Sequence, residues 1–277
     1  MTRNAYTQMF APDGTVLLHP DRPAARYRPL RAVKNFQKLM KDKEDTALVF
    51  NIFESLPSRD FLPRVRDLAL SERGEFLRAT EPCLPDILDD HAALRRTRKG
   101  SLAHAYCDFM EAEGLSAAGL VAEYDRAGRP AYPDLVEWFI NRSRDTHDLF
   151  HVLTGYGRDA LGEQCVLLFT HGQSPSQGHL LIGYAGAANI RSMVKGSAAP
   201  MMGAVREAHR TGKGAPQLMA QPIRHLLERP LEDVRRELRI PEPKLYRECH
   251  RIWRAEGINP HDLLASKADE PAELLAA

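Results

Sequence analysis

His147, Asp148, His151 and Glu163 are the residues of this chain whose types and spacing could do chemistry, and that chemistry is the binding of a divalent metal ion. On a helix each residue advances about 100°. His147 and His151 then stand one turn apart, about 40° around the axis, with Asp148 offset by about 60° on the other side of His151. Three side chains fan from one helical face toward one point. Two imidazoles with carboxylates suit a borderline divalent ion. Glu163 cannot join them along a straight helix, because twelve residues would carry it about 18 Å away. Gly155 and Gly157 supply a break, and Asp159 or a neighbour can start a returning helix that brings Glu163 back. The structural alternative is a pair of core histidines at one-turn spacing, which chance also produces. The pattern is not that of zinc proteases, since Asp148 follows the first histidine and no glutamate stands where their general base would. Nor is it a di-iron carboxylate pattern, which wants several glutamates and repeated Glu-x-x-His pairs.

Other candidates are weaker. His171, His179, His209, His225 and His250 read as structural or surface residues. Among the basic residues near the motif, Arg142, Arg144, Arg158, Arg191 and Lys195, most read as solvated faces. Arg144 lies three residues before His147 and could hold a substrate carboxylate through a bidentate contact. The run Leu180 to Ala188 puts Gly183, Gly186 and Ala187 on a smooth helical face. Close packing of two helices explains such a face; a slot for a long apolar tail is the functional alternative.

The elements that must position these residues are helical. Leu30, Val33, Phe36, Leu39 and Met40 recur at three- and four-residue steps and predict an inward face. Further helices are expected at 46–56, after Ser58, from Pro82 to Lys99, from Leu102 to Glu113 with Ser101 as cap, and from Pro133 through His151. Others are expected at 159–171, 177–194, 199–211, 230–239 and 243–255. Period-two strands are hard to find. The expected fold is mainly α: a single helical domain over 28–256 carrying a metal-binding helix–turn–helix, an irregular N-terminal arm over 1–27, and a flexible C-terminal tail over 257–277.

Composition excludes more than it identifies. Hydrophobic residues are 43% and charged residues 27% of 277, as in an ordinary folded domain, and a net charge of +1 gives no global attraction to nucleic acid. Cys83, Cys107, Cys165 and Cys249 form no CxxC pair and read as buried or half-buried thiols in a reducing compartment. No apolar run reaches the roughly 18 residues of a spanning helix, and residues 1–14 show no secretory signal. The expectation is a cytoplasmic protein.

The segment Arg144-Asp145-Thr146-His147-Asp148-Leu149-Phe150-His151-Val152-Leu153-Thr154-Gly155, with Gly162-Glu163 following, resembles the signature of the coenzyme Q biosynthesis protein 4 family, His-Asp-x-x-His-x11-Glu. Gly74-Glu75-Phe76-Leu77, Arg206 to Ala215, and Pro230-Leu231-Glu232-Asp233-Val234-Arg235 extend the likeness over about residues 28–243. The resemblance implies a mainly helical fold and a divalent ion, zinc first, held by His147, Asp148, His151 and Glu163. Iron, cobalt or manganese suit the same donors. It further implies action on a ubiquinone head-group intermediate with a polyprenyl tail, by oxidative decarboxylation that replaces the carboxylate at ring carbon 1 with hydroxyl. Another isoprenoid lipid could be the ligand. The alternative it carries is a non-enzymatic, metal-containing lipid-binding scaffold that organises quinone-biosynthesis enzymes. Homodimers, and a peripheral position on the inner face of the cytoplasmic membrane, are expected with either. A metal-dependent hydrolase is a third reading, without a Ser or Cys at motif spacing to serve it.

Overall fold

A computed structural model describes residues 2–42, 45–126 and 128–263. The chain is mainly helical, as expected. Among the described residues, seventeen α-helices and one 3-10 turn are accompanied only by two isolated bridges, Phe10 with Val16 and Ser101 with Pro230. The chain sorts into two compact units, each assembled from three stretches. One comprises Met1–Ala25, Ser58–Leu153 and Pro216–Ile240; the other comprises Arg26–Pro57, Thr154–Ala215 and Pro241–Ala277. Of the expected tail over 257–277, residues 264–277 lie outside the described residues.

In the first unit the helix Leu135–Asp145 leads to the metal motif. Its core contacts include Leu17, Leu18, Val65, Leu135, Val136 and Phe139. Residues 1–27 are irregular in backbone, with one four-residue helix, Arg3–Tyr6, yet they are not loose. Leu17 and Leu18 are fully buried. Carbonyls of Val16 and Leu17 accept the first-turn amides of Leu135 and Val136 at 3.0 and 3.2 Å, donors that a helix start leaves without intrahelical partners. Arg22 pairs with Asp134 at 2.8 Å and Glu137 at 2.6 Å, over the same helix end.

Several boundaries differ from the periodicity. The helix expected from Pro133 through His151 begins at Leu135, behind Asp134 as N-cap, and breaks at Thr146 into Leu135–Asp145 and His147–Thr154. The Thr146 hydroxyl donates back to the Arg142 carbonyl at 2.9 Å, a bond that competes with the helix ladder and bends it. The helix expected over 82–99 is two short ones, Leu84–Leu88 and His91–Leu94. Asp90 restarts the second by accepting the Ala93 amide at 2.9 Å, while Asp89 accepts those of Ala117 and Ala118. Helices Glu72–Thr80 and Ala117–Arg126 were not anticipated.

The second unit is organised by Ala160–Gln173. Leu161, Cys165, Val166, Leu168 and Phe169 are all fully buried on it, so apolar residues surround most of its circumference, as a central helix requires. It packs against Gln177–Met193 and Met201–Gly214. Lys244–Glu256 covers Met201–Gly214 with Tyr246, Cys249 and Trp253 inward. The helix Pro29–Leu39 lies on Thr46–Ser55 through Ala32 and Leu39. Its expected inward face is only half covered: Leu30 is 78% and Val33 46% exposed. Cys107, Cys165 and Cys249 are buried and Cys83 is exposed, all as free thiols. No described helix is long and apolar enough to cross a membrane.

Candidate metal centre

The helix His147–Thr154 ends where Gly155 turns into the left-handed region at φ +75°, a conformation a side chain would resist. Arg235 donates to the carbonyls of Val152 and Leu153, both at 2.9 Å. These acceptors have no helical partner of their own, and a cation there also suits the helix dipole.

The returning helix starts at Asp159, which accepts the amides of Leu161 at 3.0 Å and Gly162 at 3.2 Å. The other carboxylate oxygen accepts the Tyr246 hydroxyl and lies 3.3 Å from a ring nitrogen of His250. Tyr246 in turn accepts the Gly157 amide at 2.9 Å. Burial pushes the Asp159 carboxyl up, but the bonds from His250, Tyr246 and Gly162 outweigh it and hold the pKa below the usual carboxylate range. The turn is tight enough that a Cβ on Gly162 would stand 2.0 Å from the Gly157 carbonyl oxygen.

In the first unit His147 and His151 each offer an imidazole nitrogen, and in the second Glu163 offers a carboxylate oxygen. His151 is 1% exposed and stacks on Phe109, ring centroids 5.5 Å apart. The His147 ring meets it edge-on at 5.1 Å. Glu163, in the first turn of its helix, has Arg158 at 3.7 Å. Two imidazole nitrogens and one carboxylate are the donor set of three-ligand zinc-type sites with an open position. The residues therefore fit a divalent ion by their donor chemistry.

Asp148 follows His147 on the same helix. It is half-buried, and its charge adds to burial in pushing the Tyr106 phenol far up. The Tyr106 hydroxyl is buried without a hydrogen-bond partner. Arg144 turns to its neighbour, with Nε 2.7 Å from Asp145, and its guanidinium lies 5.0 Å above the Tyr124 ring. An adjacent carboxylate has captured the cation. Burial pushes the Asp145 carboxyl up, against the pull of Arg144. Arg142 is no solvated residue: it is 3% exposed, 2.9 Å from Glu81, and donates to the carbonyls of Met219 and Gln221. Arg191 and Lys195 are exposed, as expected.

Gly183, Gly186 and Ala187 lie on Gln177–Met193, whose small-residue face is closed by the neighbouring helix. A Cβ on Gly183 would meet Leu168 at 1.5 Å, and one on Gly186 would meet Gln164 at 2.3 Å. Close packing against Leu168 and Gln164 accounts for the glycines of this face. His250 is the structural histidine that matters most to the site, through Asp159.

Sequence reasoning missed another grouping. His91, Cys107 and Glu111 bring ligand atoms within 4.8 Å of one another. The one-turn spacing of Cys107 and Glu111 was its signal. Glu111 is already engaged by His91 at 3.1 Å and Arg95 at 2.8 Å, at the solvent edge.

The fold is that of a mainly helical protein whose sequence carries His147-Asp148-x-x-His151 followed by Glu163. The chain belongs to the coenzyme Q (ubiquinone) biosynthesis protein Coq4 family, whose pattern it matches over residues 40–244. It is 27% identical over 213 residues to the mitochondrial ubiquinone biosynthesis protein COQ4 of Arthroderma otae, covering 73% of each chain. It also shares its fold with the crystal structure of a Nostoc punctiforme protein ascribed to ubiquinone biosynthesis. That likeness has a TM-score of 0.59 at 20% identity, over 78% of this chain and all of that one.

Proposed function

We propose that this member of the ubiquinone-biosynthesis family is a metal-dependent enzyme acting on a polyprenylated aromatic head-group intermediate. The reaction is oxidative decarboxylation: the ring carboxylate leaves as carbon dioxide and a hydroxyl takes its place, a two-electron oxidation with dioxygen as acceptor. The observation that carries the reading is the pairing of the His147 and His151 rings one helical turn apart, with Glu163 in the first turn of the next helix. They would hold the ion, zinc by family resemblance, or iron, cobalt or manganese by the same donor chemistry. When bound, such an ion supplies Lewis acidity and a template for carboxylate and phenol oxygens.

Three protein ligands leave a position open, as catalytic sites do and closed structural sites do not. His151, nearly solvent-free against Phe109, fixes the orientation of the pair. Arg158, beside Glu163, is placed to hold the carboxylate of the substrate in the role first assigned to Arg144.

Purified protein incubated with a carboxylated polyprenyl phenol, with and without air, tests this. Carbon dioxide release that needs oxygen and is lost in Glu163→Ala is the expected result. Bound metal and retained lipid without turnover would replace the enzyme by the scaffold that organises other quinone-biosynthesis enzymes.

A further inference from the structure

The first unit holds a cavity of about 730 Å³, bordered by residues from 10–16, 81–84 and 132–145, all of that unit. Five carboxylates line it: Asp13, Glu81, Asp134, Glu137 and Asp145. Four guanidinium groups meet them. Arg78 lies 3.8 Å from Asp13, Arg142 2.9 Å from Glu81 and Arg144 2.7 Å from Asp145, while Arg22 bridges Asp134 and Glu137. One negative charge is left over. Polar atoms on the same walls also lack hydrogen bonds. The Asp145 side chain is only 7% exposed, and Arg144 takes its Oδ1 alone. Its Oδ2 has no partner among the described residues. Oε2 of Glu81 and Nη1 of Arg142 meet out of alignment, so that neither makes a hydrogen bond. Buried polar atoms normally find partners, and unsatisfied ones on a cavity wall mark where a ligand completes them.

We propose that this cavity binds a small organic cation, an alkylammonium group on an aliphatic stem. The ammonium donates to Oδ2 of Asp145 and supplies the missing positive charge. The stem lies against Trp138 and Tyr132, rings that already carry the guanidinium groups of Arg78 and Arg22 at 5.5 and 4.6 Å. Phe10, 58% exposed on the same cavity, offers the cation a further ring face. An anion would meet arginines already paired and an excess of carboxylate. A bare divalent ion needs converging ligands, and among the described residues no three carboxylates of these walls bring oxygens within 4.8 Å of one another. A neutral ligand would leave the buried charge without a counterpart. The proposal goes beyond the metal reading and uses none of its ligands.

Calorimetric titration of the full chain with cadaverine, its diol analogue and glutarate tests this. The three share one five-carbon stem and carry positive, no and negative charge. Cadaverine should bind one to one at millimolar concentrations or below, and the other two should give no binding heat. Asp145→Asn, which keeps the shape and removes the charge, should weaken cadaverine about tenfold to a hundredfold. Phe10→Ala, at an exposed position, should weaken it about two- to fivefold. Asp13→Asn, whose side chain is 54% exposed in the parent, should weaken it at low salt and match the parent at high salt. The two exposed variants keep the test decisive if Asp145→Asn fails to fold. Glu163→Ala should bind cadaverine like the parent, whereas an amine held by a metal ion would be lost with that ligand. No binding of cadaverine, equal binding of the diol or glutarate, unchanged affinity in the cavity variants, or loss of binding in Glu163→Ala would each overturn the proposal.

Discussion

Two regions carry potential ligand atoms, and they are built differently. His91, Cys107 and Glu111 meet at a solvent edge where Arg95 already neutralises the carboxylate. The His147–His151 pair and Glu163 sit on helices whose ends are held by other groups. Arg235 closes the first helix, and Asp159, tied to Tyr246 and His250, opens the second. Proximity of ligand atoms therefore does not by itself make a site. A metal site needs its ligands oriented by other groups, and the second region has that support.

The largest effect that would sharpen this contrast belongs to Asp159→Asn. It removes a charge that is 1% exposed and leaves His250, Tyr246 and two amides facing an amide. Chemical denaturation should show a loss of about 3–5 kcal/mol. Because the folded pKa of Asp159 is depressed, its contribution is present above the pKa it has in the unfolded chain and fades as pH falls through the folded one. The parent should therefore lose stability in acid more steeply than Asp159→Asn. A parallel pH dependence in both proteins would contradict the role given to this carboxylate.

Gly162→Ala comes next. The Gly157 carbonyl blocks its new methyl, and the backbone must shift, at a cost of about 2–3 kcal/mol in the same denaturation measurement. Arg235→Ala leaves two carbonyls without their charged donor and should cost about 1–2 kcal/mol, read as faster amide exchange at the end of His147–Thr154. Glu111→Gln is the smallest. Its melting curve should overlay that of the parent at physiological salt, since exposed, screened pairs contribute little. A large shift there would erase the contrast between the two regions.

The turn was legible in the sequence because it is local. Gly155 ends a helix and Asp159 caps the next. What holds the turn was not legible, since Phe109, Arg235, Tyr246 and His250 come from distant stretches and carry no local signal. Spacing puts Arg144 on the side of the helix that faces the motif, and it carries no signal that Asp145 engages the guanidinium at 2.7 Å. Leu17 and Leu18 were passed over because an irregular segment has no period to betray burial. At Leu30 and Val33 the periodicity correctly grouped apolar residues but could not say what covers them, and no described part of the chain does.

The measurement closest to the central claim is elemental analysis of the purified protein beside His151→Ala, Glu163→Ala, Asp148→Ala and Cys107→Ser. The account predicts about one divalent ion per chain in the parent, retained in Asp148→Ala and Cys107→Ser and lost in His151→Ala and Glu163→Ala. Metal that survives in Glu163→Ala, or that leaves with Cys107→Ser, would contradict it.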